Sequence, residues 1–167
     1  MKPKIKEIVV FAMLGALMFA SKLVLEVLPN VHLLGVFIIA ITVVYRWKAL
    51  YPIYLFVFLF GLYYGFSLWW VPYLYIWTVL WAVVMLLPKN MNPKIATVTY
   101  IIVCGMHGFL YGTLYAPAQA LMFGYNFKQM LAWIATGLPF DLIHGVSNLV
   151  CGILIMPIVK VLRYADR

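Results

Sequence analysis

Residues 130–162 read MLAWIATGLPFDLIHGVSNLVCGILIMPIVKVL, an apolar run carrying only two charged residues, Asp141 and Lys160. As one α-helix it would be about 50 Å long at 1.5 Å per residue, too long for a hydrocarbon core of about 30 Å. Gly137-Leu138-Pro139 offers a break, because a proline in the first turn of a helix lacks an N–H that would be unpaired anyway. From Pro139 to Lys160 the length is about 32 Å by the same rise, which suits a bilayer. The sequence therefore predicts a membrane-spanning helix over 139–162, preceded by an outer segment over 116–138. Connections of that length carry function or short helices of their own. Phe127, Lys128 and Trp133 suit this one to the membrane interface.

The rest of the chain agrees. Of its 167 residues 67% are hydrophobic and only 10% charged, whereas a soluble domain is roughly half apolar and a quarter charged. A water-soluble globule and a disordered chain are both excluded. Five further spans are expected: about Ile5–Leu28, closed by Pro29-Asn30; Val31–Tyr45; Leu50–Phe66; Val71–Leu87; and Ile95–Tyr115. The expected fold is all-α, a polytopic membrane protein of six transmembrane helices in one domain over 1–167. There is no internal repeat and no soluble appendage. The first apolar run is too long, and lacks the small-residue site, for a cleaved signal peptide.

Twelve Lys and Arg against four acids give a net charge of +8. In a soluble protein that balance suggests nucleic acid, but here the bases form short clusters between apolar runs, and no nucleic-acid partner is expected. With six spans, Lys2, Lys4, Lys6, Arg46, Lys48, Lys89, Lys94, Lys160, Arg163 and Arg167 fall on one side, and only Lys22 and Lys128 elsewhere. By the positive-inside rule both termini are cytoplasmic, and the chain is expected as a multi-pass protein of a prokaryotic plasma membrane. Cys104 and Cys151 lie in apolar runs with no CxxC, so neither disulfide nor metal is expected.

Polar side chains inside a bilayer are costly, and each is a functional candidate. Asp141, His144 and Asn148 fall at i, i+3 and i+7, on one helical face. Asp141 would sit in a first turn, where the helix dipole favours an anion. His107, Tyr111 and Tyr115 follow at i, i+4 and i+8, with Gln119 next if the helix continues past Pro117. Gly108 and Gly145, each after a histidine, would let the last two spans approach closely. Tyr73 and Trp77 stand one turn apart near the outer start of the fourth span, in an aromatic belt with Trp69 and Trp70. Asn30 and His32 occupy the first outer turn. Lys22 and Glu26 are spaced to pair at i,i+4. These residues outline an outward-facing cavity with aromatic walls and a few polar groups, the usual form of a small-molecule site. No GxxxxGK[ST], HExxH or GxSxG is present, so no ATP site, zinc-protease site or serine nucleophile is indicated.

With its spans placed, the chain resembles a substrate-binding subunit (S component) of an energy-coupling factor transporter, a six-helix family of similar size with a cytoplasmic N-terminus. The ladder Ala12-x-x-x-Ala16-x-x-x-Ala20 on the first span, with Gly15 beside it, is similar to the family's AxxxA stripe. The resemblance implies that this stripe docks on the transmembrane coupling subunit, and small residues at that spacing do permit close helix approach in lipid. Pro139-Phe140-Asp141-Leu142-Ile143-His144 is similar to the P-F-N-x-x-K start of the last helix in riboflavin-type members, with Asp141 in place of Asn and His144 in place of Lys. The likeness implies a ligand site there but a ligand other than riboflavin. An acid and an imidazole suit an amine or a ring N–H, as in a small nitrogen heterocycle, a vitamin or its precursor. It further implies a protein that is not an enzyme and uses no cofactor, working with the coupling subunit and two ATPase subunits. Two alternatives stand beside it: a small intramembrane enzyme using Asp141, His107 and His144 for acid–base work on a lipid or polyprenyl substrate, and a stand-alone facilitator.

Overall fold

The computed structural model describes residues 5–166, and no strand occurs among them. Lys2, Lys4 and Arg167 of the basic clusters lie outside the described residues. Eight α-helices follow in order: α1 (Ile5–Val24), α2 (Leu34–Tyr45), α3 (Leu50–Tyr64), α4 (Tyr73–Leu86), α5 (Pro93–Phe109), α6 (Tyr111–Phe123), α7 (Phe127–Cys151) and α8 (Ile155–Ala165).

Five helical stretches, not the six expected, are long and apolar enough to cross a membrane: Ile5–Val27, Leu34–Tyr64, Leu68–Leu86, Pro93–Phe123 and Phe127–Ala165. The difference arises at the second and third expected spans. At 12 and 15 residues, α2 and α3 are about 18 and 22 Å long, each short of a full crossing. A 3-10 turn, Arg46–Ala49, joins them into one stretch. The chain reverses there all the same. α2 runs beside α4 in the same direction, His32 meeting Trp77 at one end and Arg46 meeting Trp81 and Met85 at the other. α3 then runs back, with Tyr54 bonded to Leu74 and Tyr73 stacked on Phe60. Arg46 takes a positive φ of 54° at the bend, costly for a side-chain-bearing residue. Its carbonyl accepts the Trp81 indole N–H at 3.1 Å, and its guanidinium donates to the Met85 carbonyl at 2.8 Å, near the end of α4. Helix-end carbonyls have no intrahelical partner and need one.

α2 forms the centre of the bundle. Leu34 through Thr42 are all buried, as expected of a helix that is apolar on every side. α1 packs on α3 and α2 on α8, while α5 and α7 make the most extensive helix pair. A Cβ added at Gly145 would lie 2.1 Å from the Phe109 ring, and one at Gly108 would lie 2.8 Å from the Gly145 Cα. The close approach expected of this pair is present. Outward faces remain apolar, with Met13, Phe58, Val98, Ile102, Leu142 and Val146 about half exposed or more. So much bare hydrocarbon is the mark of a lipid-facing surface.

The break expected at Gly137-Leu138-Pro139 is absent. α7 runs through Pro139 and begins twelve residues earlier, at Phe127. A capping box starts it there: the Asn126 side chain accepts from the Gln129 N–H at 3.0 Å, and the Gln129 side chain accepts from the Asn126 N–H at 2.8 Å. Such a box satisfies two orphan donors at once. The segment 116–138 is thus no loop but the second half of α6, a tight turn through Gly124 in the left-handed conformation, and the first half of α7. The long apolar run breaks instead at the 3-10 turn Gly152–Leu154, before α8.

Because the α5–α7 seam has no room for a side chain, Gly145→Leu is expected to destabilise the protein by about 1–3 kcal/mol. Gly137→Ala, at a position with nothing within 4 Å, is expected to have little effect. Thermal unfolding of the detergent-solubilised variants measures both.

Candidate functional site

The polar residues singled out in the sequence converge at one end of the bundle, and most are buried: His32, Trp77, His107, Asp141, His144 and Asn148 fully, and Asn30, Tyr73, Tyr111 and Tyr115 in part. α5 ends at Phe109, and Leu110 turns the chain before α6. His107 and Tyr111 therefore lie on either side of a bend, and the i+4 and i+8 stripe continues past Pro117, which α6 tolerates.

Asp141 has a different role from the one its sequence position suggested. It lies mid-way along α7, so it cannot serve that helix's own N-terminus. Both of its carboxylate oxygens accept the backbone N–H of Gly112, at 2.9 and 3.1 Å. Gly112 is the second residue of α6, whose N-cap position, Leu110, supplies no side-chain cap. Asp141 therefore caps α6 from α7, where the helix dipole favours its charge. A Cβ at position 112 would lie 2.5 Å from the carboxylate, so only glycine lets the two meet. A carboxylate has about four acceptor positions, and some remain for a further donor.

His144, one turn along α7, hydrogen-bonds His32 through the Nε2 atoms of both rings. One ring donates and the other accepts, so the two nitrogens hold one proton between them. The His144 ring also lies 4.7 Å from that of Tyr111. Trp77 stands behind this layer, its ring centroid 5.7 Å from His107, 5.8 Å from Tyr111 and 6.0 Å from His32. His107 is committed elsewhere, through Nε2 to the Ile76 carbonyl at 3.2 Å. Asn148 donates to the Cys104 carbonyl at 3.1 Å and so ties α7 to α5. Three buried polar atoms in this cluster have no hydrogen-bond partner among the described residues: His32 Nδ1, Trp77 Nε1 and Asn148 Oδ1. Such orphans are rare in proteins and mark places where a water or ligand belongs.

In front of His144 and Asp141 lies a cavity of about 350 Å³, walled by Tyr111, Tyr115, Trp133 and Phe140, with Asn30 and Gln119 at its edge. Tyr115 and Trp133 stack at 5.8 Å with an interplanar angle of 18°, and the Tyr115 hydroxyl donates to the Trp69 carbonyl at 3.0 Å. Gly112, Trp133 and Phe140 are lining residues that the sequence did not single out as ligand contacts. Trp133 joins the site because α7 extends outward past Pro139, a consequence of the capping box. The signal that would have found it is Asn126-x-x-Gln129.

One expectation is corrected. Lys22 and Glu26 do not form an ion pair, since Glu26 lies in the 3-10 turn Leu25–Val27, where α-helical i,i+4 spacing fails, and instead accepts from the Tyr64 hydroxyl at 2.6 Å. The one ion pair among the described residues joins Lys48 and Glu7. Ala12, Ala16 and Ala20 are exposed, and Ala16 and Ala20 line a shallow groove of about 550 Å³ with Met13, Leu17 and Ala165.

No protein-family model, curated protein or solved structure matches this chain. The likeness to S components rests on its residues alone.

Asp141→Asn replaces one acceptor oxygen by a donor facing the Gly112 N–H. Amide hydrogen exchange over residues 111–114 is expected to speed up, while exchange in the middle of α5 stays unchanged.

Proposed function

We propose that the chain is a substrate-capture subunit of the energy-coupling factor type, crossing a prokaryotic plasma membrane six times with both termini inside. The aromatic cavity opposite the basic end would be its binding site. α2 and α3, though short, run in opposite directions, which supports counting them as two crossings. Arg46, Lys48, Lys89 and Arg163 gather where α1 begins and α4 ends, which supports placing that end in the cytoplasm. The observation that carries the ligand reading is the cavity lining, where Asp141 and His144 meet Tyr111, Tyr115 and Trp133. The Asp141 carboxylate offers acceptors, and the Asn30 and Gln119 amides at the edge offer both donors and acceptors. A planar nitrogen heterocycle, with both ring nitrogens and N–H groups, complements such a set and stacks on Tyr111, Tyr115 or Trp133.

On this reading the subunit does no chemistry. It holds a vitamin-like molecule until a coupling subunit with two ATPases drives release inward. The exposed alanine face of α1 would take the coupling subunit, because small residues let helices approach where lipid offers no hydrophobic drive.

The protein purified in mild detergent is expected to retain a small molecule, seen by native mass spectrometry. His144→Ala would leave the ligand group it pairs with buried and unsatisfied at about 1–3 kcal/mol, so affinity should fall roughly 5- to 150-fold. Ala16→Trp should leave binding intact and abolish uptake with the partner subunits. Unchanged binding in His144→Ala, or normal uptake in Ala16→Trp, would count against the assignment.

A further inference from the structure

We infer that the basic end of the bundle carries a phosphate-recognition site, filled by the headgroup of an anionic phospholipid. A pocket of about 460 Å³ lies between the α4–α5 connection, α2 and α8. Lys89 and Arg163 stand at its exposed rim with Asn90 and Asn92, and Met156 and Tyr100 form part of its wall.

Three features point to an anion. Acids are outnumbered at this end: Glu26 and Asp141 belong to the opposite one, Glu7 already holds Lys48, and Asp166, just past α8, is left to face Lys89, Lys94, Lys160 and Arg163. Next, the pocket opens on the N-terminus of α5, a helix of 17 residues capped by Asn92, where the dipole adds positive potential. Finally, Tyr100 is only 6% exposed and lines the pocket, yet its hydroxyl has no hydrogen-bond partner among the described residues. The hydroxyl is not closed off from the pocket, and a phosphate oxygen held by Lys89 and Arg163 supplies it an acceptor.

The surroundings favour a lipid over a free ion. Val43, Ala96 and Met156 make the deeper wall apolar, and α5 leaves the same end with exposed Ile95, Val98 and Ile102 along its outer face. Acyl chains can follow that face while the phosphate stays at the rim. Basic pockets between helices on the cytoplasmic side are the usual headgroup sites of membrane proteins. The inference does not depend on the outer cavity, and its failure would leave that assignment untouched.

The full chain is to be placed in nanodiscs of phosphatidylcholine alone, and of phosphatidylcholine mixed equally with phosphatidylglycerol. Retained lipid is then counted by native mass spectrometry. Selective retention of phosphatidylglycerol is expected, falling roughly fivefold for each of Lys89→Gln and Arg163→Gln and weakening in Tyr100→Phe. Lys128→Gln, at the opposite end, should retain the parent level. Lys89 and Arg163 are exposed, so their variants fold. A parallel arm measures the thermal shift produced by inorganic phosphate in detergent. A shift lost in Lys89→Gln, without selective lipid retention, would assign the pocket to free phosphate and overturn the lipid as its source. Equal retention of both lipids together with no phosphate shift, or retention unchanged in both rim variants, would overturn the site.

Discussion

The contact of both Asp141 oxygens with the Gly112 N–H fixes the cavity end of this molecule. In a medium without water, the first N–H groups of a helix have nowhere to turn except to another part of the protein. The N-cap residue of α6 supplies no side-chain partner, and a carboxylate on α7 does so instead. That single contact holds the start of α6 against the middle of α7 and sets Tyr111 beside His144. It also accounts for an ionisable residue at apolar depth, because its two oxygens share the Gly112 N–H at the positive end of a helix dipole.

The two ends of the bundle differ in chemistry because their hydrogen-bonding needs are met differently. At the basic end, backbone carbonyls are satisfied by a guanidinium and charged groups sit exposed around Lys89 and Arg163. At the other end, neutral rings and amides crowd together, with three polar atoms left over against two, Tyr45 OH and Arg46 Nε, at the basic end. Close glycine packing between α5 and α7 makes the second arrangement possible, for it brings Asn148 to the Cys104 carbonyl and His144 under Tyr111. Tight packing and leftover polarity in one place describe a site shaped for something other than the chain itself.

Much of this was legible in the residues. Composition excluded a soluble fold, and the spacing of Asp141, His144 and Asn148 placed them on one face, where they are found. The histidine–glycine pairs announced the α5–α7 seam. Other features were hidden for physical reasons. Pro139 looked like a helix start because its missing N–H is costless there, yet the capping box at Asn126 outweighs it and carries α7 outward, bringing Trp133 into the cavity wall. Glu26 looked like a partner for Lys22 because i,i+4 spacing presumes an α-helix, and the backbone has tightened to a 3-10 turn. The partner of Asp141 could not be read at all, since a glycine N–H leaves no mark in a sequence. Nor did a helix count survive, because α2 and α3 meet at a bend that breaks direction without breaking helicity.

The central claim is that the aromatic cavity in front of His144 holds a small planar ligand. An experimental structure of the protein purified from membranes, with its retained molecule, tests this most directly. Density for a ring between Trp133 or Tyr115 and Tyr111, with a polar atom within about 3 Å of His144 or Asp141, is the expected result. A retained molecule bound elsewhere, or a cavity closed by Trp133 packing onto Tyr111 with the orphan atoms of His32, Trp77 and Asn148 paired to one another, would contradict it.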